Sequence, residues 1–236
     1  MGTLFNTYIY EPLKWLLILI YQNASFHDLG IAIIVLTVLI RLVLLPIFYK
    51  GARDQTVIQK IQPHVKKIQL DHKDDKERQA KELMMLYQKH RVNPFSSILF
   101  LIIQLPIFIA LFQIFTKEVG SSIFGNHYFL GFLDLSTKNL VLAAVAALLQ
   151  YLQARIMFAS MKPDAKNKEK NFGAANQKMM MYMGPILTII VLFNLPAAIG
   201  LYWSVSNLFS IGQQFYINKK IKIPDPEESA ADVHAK

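Results

Sequence analysis

The stretch LGIAIIVLTVLIRLVLLPIF, residues 29–48, is the first long apolar run of the sequence and indicates a membrane-spanning helix. Arg41 is its only charged residue, and a helix of about twenty residues is about 30 Å long, the thickness of the hydrocarbon core of a bilayer. Four more apolar runs follow, at residues 94–115, 140–159, 179–193 and 197–216. The sequence therefore predicts an all-α integral membrane protein with five transmembrane helices.

The composition agrees with a membrane protein and argues against an enzyme. Of the 236 residues, 53% are hydrophobic and 17% are charged, whereas a soluble globular chain has about 25% charged residues. The absence of cysteine excludes disulfides, thiolate metal sites and a cysteine nucleophile. The HExxH, GxSxG and glycine-rich phosphate-loop motifs are also missing, and all six histidines lie outside the apolar runs. We therefore predict no catalytic residue, no cofactor and no metal site.

The distribution of basic residues predicts the orientation in the membrane. Eleven Lys and Arg residues lie in residues 50–93 and five in residues 160–178, against one, Lys117, in residues 116–137. An excess of Lys and Arg in short loops marks the cytoplasmic side. We therefore expect the N-terminus outside and the C-terminus inside, and we attribute the net charge of +9 to this bias rather than to a nucleic-acid site.

The apolar runs and the charges together divide the chain into segments. Residues 8–22 are too short an apolar run to cross a bilayer, and Trp15 and Tyr21 flank its apolar part, which favours an interfacial helix over the alternative of a signal peptide. The predicted segments are an outside N-terminal segment with this interfacial helix (1–28), transmembrane helix 1 (29–49), a cytoplasmic helical hairpin (50–93), transmembrane helix 2 (94–116), an outside loop (117–138), transmembrane helix 3 (139–159), a cytoplasmic basic loop (160–178), transmembrane helix 4 (179–193), transmembrane helix 5 (197–217) and a cytoplasmic tail (218–236).

Helical periodicity predicts the two arms of the cytoplasmic hairpin. Apolar residues recur at spacings of three and four on either side of the polar break DHKDDKER, and Pro63 should kink or restart the first arm. The charged surface of the hairpin is either a solvated face or a contact for lipid, ribosomal RNA or a partner protein. The periodic residues are Ile58, Ile61, Val65 and Ile68 in the first arm and Ala80, Leu83, Tyr87 and His90 in the second.

Arg41 is the residue that most strongly suggests a functional site inside the membrane. It lies one helical turn from Thr37 on the same face of the first span. An arginine at the centre of a membrane helix costs about 2.5–3.5 kcal/mol, so it normally faces protein or water and marks a function. The alternative is that its long side chain snorkels to the cytoplasmic surface.

Further polar side chains lie in the other spans. Singly, such residues are more often hydrogen-bonding glue between helices, but together with Arg41 they predict a wet cavity. No Asp, Glu or His occurs in any span, so Arg41 has no acidic partner there and proton-driven transport is improbable. The candidate groove residues are Arg41, Thr37, Gln104, Gln150, Gln153, Trp203, Asn207 and Ser210, and Gln214 continues the polar stripe of the fifth span.

Four stretches of the sequence resemble the YidC/Oxa/Alb family of membrane protein insertases. They are GIAIIVLTVLIRLVLLPI, NPFSSILFLIIQLPIFIALF, QYLQARIM and NLPAAIGLYWSVSNLFSIGQQ. The resemblance covers about residues 8–214 and, because the chain lacks a large periplasmic domain, suggests a short bacterial form in the plasma membrane. It implies a five-helix core around a hydrophilic groove that Arg41 makes positive, with Gln153 and Trp203 at groove-lining positions and Gln150 beside them.

The resemblance also implies a function. The expected protein is an insertase and chaperone that moves hydrophobic client segments from the cytoplasm into the bilayer without nucleotide hydrolysis, along the first, third and fifth transmembrane helices. Its partners would be nascent membrane proteins and lipids, with the ribosome, the signal recognition particle pathway and the Sec translocon as further candidates. The alternatives are a small-solute channel or transporter, disfavoured by the apolar outer halves of two spans, and a purely structural partner of a translocon.

Overall fold

The computed structural model describes residues 2–119, 121, 123–158 and 172–221, so most of the predicted basic loop 160–178 and most of the predicted tail 218–236 lie outside the described residues. The chain is mostly helical, which confirms the predicted class. A π-helical segment, Asn6–Tyr10, follows the first short helix. The elements are α1 (Thr3–Phe5), α2 (Glu11–Asn23), α3 (Leu29–Val43), α4 (Leu45–Lys60), α5 (Gln62–Asp71), α6 (Lys76–Lys89), α7 (Ser96–Lys117), β1 (Tyr128–Phe129), β2 (Leu133–Asp134), α8 (Leu140–Phe158), α9 (Phe172–Leu192) and α10 (Ala197–Lys220).

The apolar stretch 29–48 does not form one straight helix. Helix α3 ends at Val43, and α4 leaves it at an angle of 70°. Pro46 lies in the first turn of α4, where its missing N–H group is harmless, but inside a continuous helix it would remove a hydrogen bond and clash with the preceding turn. The bend therefore falls inside the predicted first span, and the bounds of that span stay a prediction.

Length and hydropathy single out few of the described helices as spans. Among the described residues, α8 is the one helix that is long and apolar enough to cross a membrane by itself, and the bent pair α3–α4 passes the same test as a unit. The segments Ile102–Lys117 and Met181–Leu192 are shorter apolar helices. Helix α9 begins at Phe172, seven residues before the predicted fourth span, although its apolar part is short. The number of five spans stays a prediction.

Helix α10 lies at the centre of the bundle. It packs against α8 and α3 and also contacts α4 and α7, while α9 packs on the other side of α8. Small residues allow the close approach of α10 to α8, since a Cβ atom on Gly200 would lie 3.3 Å from the Cβ of Leu142. Buried alanines on α8 complete this contact, among them Ala143, Ala146 and Ala147.

The N-terminal helix α2 is anchored between α3 and α7. Leu17 is fully buried, whereas Trp15 on the opposite face is exposed, the amphipathic arrangement expected of an interfacial helix. The Nζ atom of Lys14 lies 2.7 Å from Oε1 of Glu118, and the Tyr10 hydroxyl donates to the same oxygen at 3.1 Å. The hydrogen bond from Lys14 lowers the pKa of Glu118, and the same bond raises the pKa of Lys14.

Helices α5 and α6 form the hairpin in residues 50–93. Pro63 lies in the first turn of α5 and restarts the chain after α4, as the sequence predicts. Val65 is buried and Ala80 is exposed, so the two predicted stripes are not equally covered. The side chain of Asp75 caps α6 by accepting a hydrogen bond from the backbone N–H of Arg78 at 2.9 Å.

Candidate functional site

Arg41 is buried on α3 beside Thr37. The exposed fraction of Arg41 is 8%, and Thr37 is also buried. The Thr37 hydroxyl donates to the carbonyl of Ile33 at 2.6 Å, so its hydrogen-bonding capacity serves its own helix. Thr37 therefore shapes the surroundings of Arg41 without supplying it with a counter-charge.

Helices α4, α7 and α10 complete the surroundings of Arg41. The bend at residue 44 places the Phe48 ring under the guanidinium, with 5.0 Å between Cζ and the ring centroid, a cation–π contact. Tyr202 of α10 lies near Arg41, and its hydroxyl accepts a hydrogen bond of 2.8 Å from Nε2 of Gln104 on α7. In the described part of the chain, no acidic side chain lies within ion-pair distance of Arg41.

The polar residues of α10 mostly hold helices together. Nδ2 of Asn207 donates to the carbonyl of Ala146 on α8 at 3.0 Å, and both groups are buried. The Ser210 hydroxyl donates to a carbonyl of its own helix at 3.0 Å. The Trp203 ring meets Phe108 of α7 edge to face, with 5.5 Å between the ring centroids. The bond of Asn207 is the kind of interhelical hydrogen bond that isolated polar residues usually form in membrane proteins.

Among the described residues, neither glutamine of α8 is hydrogen-bonded to Arg41, Tyr202 or Gln104, and their place in the groove stays a prediction. The side chain of Gln150 accepts a hydrogen bond from Thr188 of α9 and lies against Gly184, where an added Cβ would come within 3.0 Å of the amide nitrogen. Gln150 therefore joins α8 to α9. Gln153 is half-buried, and no hydrogen bond joins its side chain to another described residue.

A polar cluster that the sequence analysis missed lies at the C-terminal end of α10. Nε2 of Gln214 donates to the Thr56 hydroxyl of α4 and to Oδ1 of Asn218, both at 2.9 Å. Nδ2 of Asn218 in turn donates to the carbonyl of Ile156 on α8 at 3.2 Å. The stripe position of Gln214 was the signal for this cluster, but no local pattern marks Thr56 as its partner.

Asp54 is a second feature that sequence reasoning missed. Its side chain is only 2% exposed, and its Oδ2 atom accepts from the Ser96 hydroxyl at 2.7 Å. Oδ1 accepts from Arg53 at 3.2 Å. Asp54 thus ties α4 to the start of α7, the helix that carries Gln104 to the site.

The loop of residues 117–138, predicted to lie outside, packs against one end of α3 and of α10. A Cβ atom on Gly30 would fall 2.2 Å from Cδ2 of Phe129, so the β1–β2 hairpin sits directly on the start of α3. The backbone N–H groups of Ala197 and Ala198 donate to carbonyls of the loop, those of Thr137 and Leu135, at 2.7 and 3.1 Å. These contacts cover the N-terminal ends of α3 and α10.

The arrangement around Arg41 suits the binding of an anion. Among the residues the structure describes, no group of three or more His, Asp or Glu side chains could hold a metal ion. Arg41 supplies a buried positive charge, Tyr202 lies near it, and Gln104 is hydrogen-bonded to Tyr202. A charge in a site of low dielectric attracts an anion far more strongly than the same charge in water.

Comparisons with known proteins identify relatives over most of the chain. The family model described as "60Kd inner membrane protein" matches residues 20–225. The membrane protein insertase MisCA of Bacillus subtilis (strain 168) is 33% identical over 232 residues, which cover 95% of this chain and 84% of that protein. The membrane protein insertase YidC 1 of Halalkalibacterium halodurans is 30% identical over 220 residues, covering 91% of this chain and 79% of the relative.

Other relatives are considerably longer than this chain. The membrane protein insertase YidC of Syntrophus aciditrophicus is 34% identical over 215 residues, which are 88% of this chain but 37% of that protein. A crystal structure of an active YidC insertase with its first transmembrane domain resolved has the same fold, with a TM-score of 0.61 and 24% identity over 91% of this chain and 47% of that one. The chain therefore belongs to the family of the YidC membrane protein insertases.

Proposed function

We propose that this protein is a membrane protein insertase and chaperone of the bacterial plasma membrane, with its N-terminus outside and its C-terminus in the cytoplasm. It takes hydrophobic client segments from the cytoplasm through a positively charged groove into the bilayer, without nucleotide hydrolysis. The observation that carries the proposal is Arg41, which is 8% exposed and has no acidic side chain within ion-pair distance in the described residues. The relatives named as insertases support the same function.

The electrostatics of Arg41 explain how a client's polar end is held. Two opposite unit charges 4 Å apart attract by about 4 kcal/mol at an effective dielectric of 20, against about 1 kcal/mol in water. A carboxylate of the client that enters the groove therefore gains most of its attraction at Arg41. The membrane potential then draws the acidic end outward, with about 2.3 kcal/mol per charge per 100 mV.

The route of the client's apolar segment lies along α7. Ile102 and Leu105 flank Gln104 on this helix and are 59% and 45% exposed, so apolar surface begins within one turn of the polar site. We propose that this surface of α7 belongs to the same route as the first, third and fifth transmembrane helices, which the family resemblance implies. Transfer of the segment into lipid supplies about 25 cal/mol per Å² of apolar surface.

Insertion into proteoliposomes tests the proposal. A short single-span client with an acidic outer end is added to vesicles that contain the wild type, Arg41→Ala or Arg155→Ala, and the protease-protected fraction is measured. Arg155 is exposed at the end of α8, so its variant loses the same charge away from the site. We expect protection with the wild type and Arg155→Ala and a loss with Arg41→Ala, larger for this client than for one with a neutral outer end.

The competing functions give different results in the same assay. A small-solute channel would release an entrapped dye and protect no client, but the hydrogen bonds of Ala197 and Ala198 to the outer loop argue against an open outer end. A purely structural partner of a translocon would show full activity with Arg41→Ala in the presence of that translocon. The ribosome, the signal recognition particle pathway and the Sec translocon stay proposed partners.

A further inference from the structure

A cleft of about 730 Å³ lies between α4 and α10, and Arg41 is not among the residues that line it. Its volume lies in the range of about 300–1,000 Å³ that is usual for small-molecule sites. The residues that line it are mostly apolar, with aromatic rings and one lysine at one end. They include Leu45, Pro46 and Tyr49 from α4 and Leu208, Gly212, Tyr216 and Lys220 from α10.

The bend between α3 and α4 creates this cleft. Helix α3 packs along α10, but α4 makes an angle of 70° with α3. The backbones of α4 and α10 therefore diverge after residue 44. Gly212 widens the gap, because a Cβ atom at this position would have no other atom within 4 Å. The cleft is therefore a consequence of the backbone and needs no displaced side chain.

The chemistry of the walls changes along the cleft. Leu208 and the α4 residues are apolar, then the rings of Tyr49 and Tyr216 lie 6.0 Å apart, and Nζ of Lys220 lies 4.7 Å from the centroid of Tyr216. From Leu208 to Lys220, α10 rises by about 18 Å, close to half of the ~30 Å hydrocarbon core. The apolar residues would lie at the depth of the acyl chains, the tyrosine rings at the membrane interface and Lys220 at the level of the head groups.

We propose that the cleft binds an anionic glycerophospholipid of the cytoplasmic leaflet. One acyl chain lies along α10 from Tyr216 toward Leu208, and the phosphate pairs with Lys220. This assignment rests on the orientation proposed above, in which the end of α10 faces the cytoplasm. An acyl chain fits these walls better than an extended peptide, because the peptide would bury backbone groups that the apolar walls cannot satisfy.

Native mass spectrometry of the full chain in detergent tests the proposal with phosphatidylglycerol and phosphatidylcholine of identical acyl chains. We expect the wild type to retain phosphatidylglycerol preferentially and Lys220→Gln to bind it about five-fold more weakly, the effect of about 1 kcal/mol per basic residue near a membrane surface. Lys219→Gln is the matched control, since Lys219 is exposed and does not line the cleft. Equal retention of the two lipids by the wild type, or equal losses in both variants, would overturn the proposal.

A second pair of variants tests the apolar part of the cleft. Gly212→Leu places a side chain in open space inside the cleft, and Gly125→Leu places one in open space on the outer loop. We expect Gly212→Leu to lose both lipids and Gly125→Leu to bind them as the wild type does. Unchanged retention by Gly212→Leu contradicts the assignment.

The identity of the occupant is settled by photo-crosslinking. Benzoylphenylalanine in place of Phe209, an aromatic residue that lines the cleft, should form an adduct with lipid in proteoliposomes during client insertion. An adduct with the client or with a second copy of the chain would overturn the proposal. Lipid retention in detergent requires no insertion, so this site and the insertase function can fail independently.

Discussion

The contact between Asp54 and Ser96 gives the sharpest test of how the helices are held in place. The two side chains are joined by a hydrogen bond of 2.7 Å across 42 positions of sequence, and Asp54 is almost completely buried. A hydrogen bond to a charged group contributes about 1.5–3 kcal/mol. We therefore expect a coupling free energy of this size in a double-mutant cycle of Asp54→Ala and Ser96→Ala.

The single variants should differ in a defined way. Asp54→Ala also leaves the backbone N–H of Asn93 and the Arg53 guanidinium without this acceptor, so we expect it to cost about 3 kcal/mol or more, and Ser96→Ala less. For a chain of this size, 1 kcal/mol shifts the unfolding temperature by about 2–4 °C. Asp54→Ala should therefore lower it by about 6–12 °C.

Thermal unfolding of the detergent-solubilised protein, followed by circular dichroism, measures these shifts. Asp74→Ala is the control, because Asp74 is exposed in the turn between α5 and α6 and should leave the unfolding temperature unchanged. Additive shifts of Asp54→Ala and Ser96→Ala would show that the bond does not couple α4 to α7. If Asp54→Ala shifts the unfolding temperature no more than Asp74→Ala does, the buried contacts of Asp54 do not stabilise the fold.

Three further predictions concern other parts of the fold. Gly30→Ala should destabilise the protein by about 1–3 kcal/mol in thermal unfolding, because its Cβ would overlap the Phe129 ring, whereas Gly2→Ala in open space should not. The hydrogen bond from Lys14 lowers the pKa of Glu118. The stability that this ion pair adds is therefore present above the ordinary glutamate pKa and is lost as the pH falls through the lowered pKa. The unfolding temperature of the wild type should fall more on acidification than that of Glu118→Gln. Asn207→Leu should lower the free energy of unfolding by less than about 1.5 kcal/mol and preserve insertion, because the hydrogen bond of Asn207 to α8 only joins the two helices. A complete loss of insertion with a stable fold would assign Asn207 a role in the groove.

Hydropathy and periodicity predict the helical class and the burial of Arg41 because both depend on spacing along one chain. They miss the bend after Val43, since the run is equally apolar on both sides and Pro46 is compatible with either a kink or a new start. They place Gln150 on a face of its helix but cannot say that α9 covers that face. The partner of Asp54 lies far away in sequence, so no local pattern reveals it.

Tyr202 shows a different reason for a missed residue. In the sequence it reads as an aromatic side chain next to Trp203, and only the packing of α10 on α7 brings its hydroxyl to Gln104. The same packing brings it near Arg41. A pattern of apolar and polar residues cannot predict which neighbour the Tyr202 hydroxyl contacts, because that contact depends on how α10 packs against α7.

The free energies around Arg41 favour a functional over a structural role. Its place in the membrane costs about 2.5–3.5 kcal/mol, and the cation–π contact with Phe48 returns about 0.5–2 kcal/mol. No acidic side chain lies within ion-pair distance in the described residues, so we expect an apolar residue at this position to leave the fold at least as stable. The bend that sets Phe48 under Arg41 also opens the cleft between α4 and α10, so the two proposed sites depend on the same angle between α3 and α4. We therefore expect a lipid in the cleft to affect the helix pair that shapes the surroundings of Arg41, and we expect a client's carboxylate to provide the negative charge that the described residues lack near Arg41.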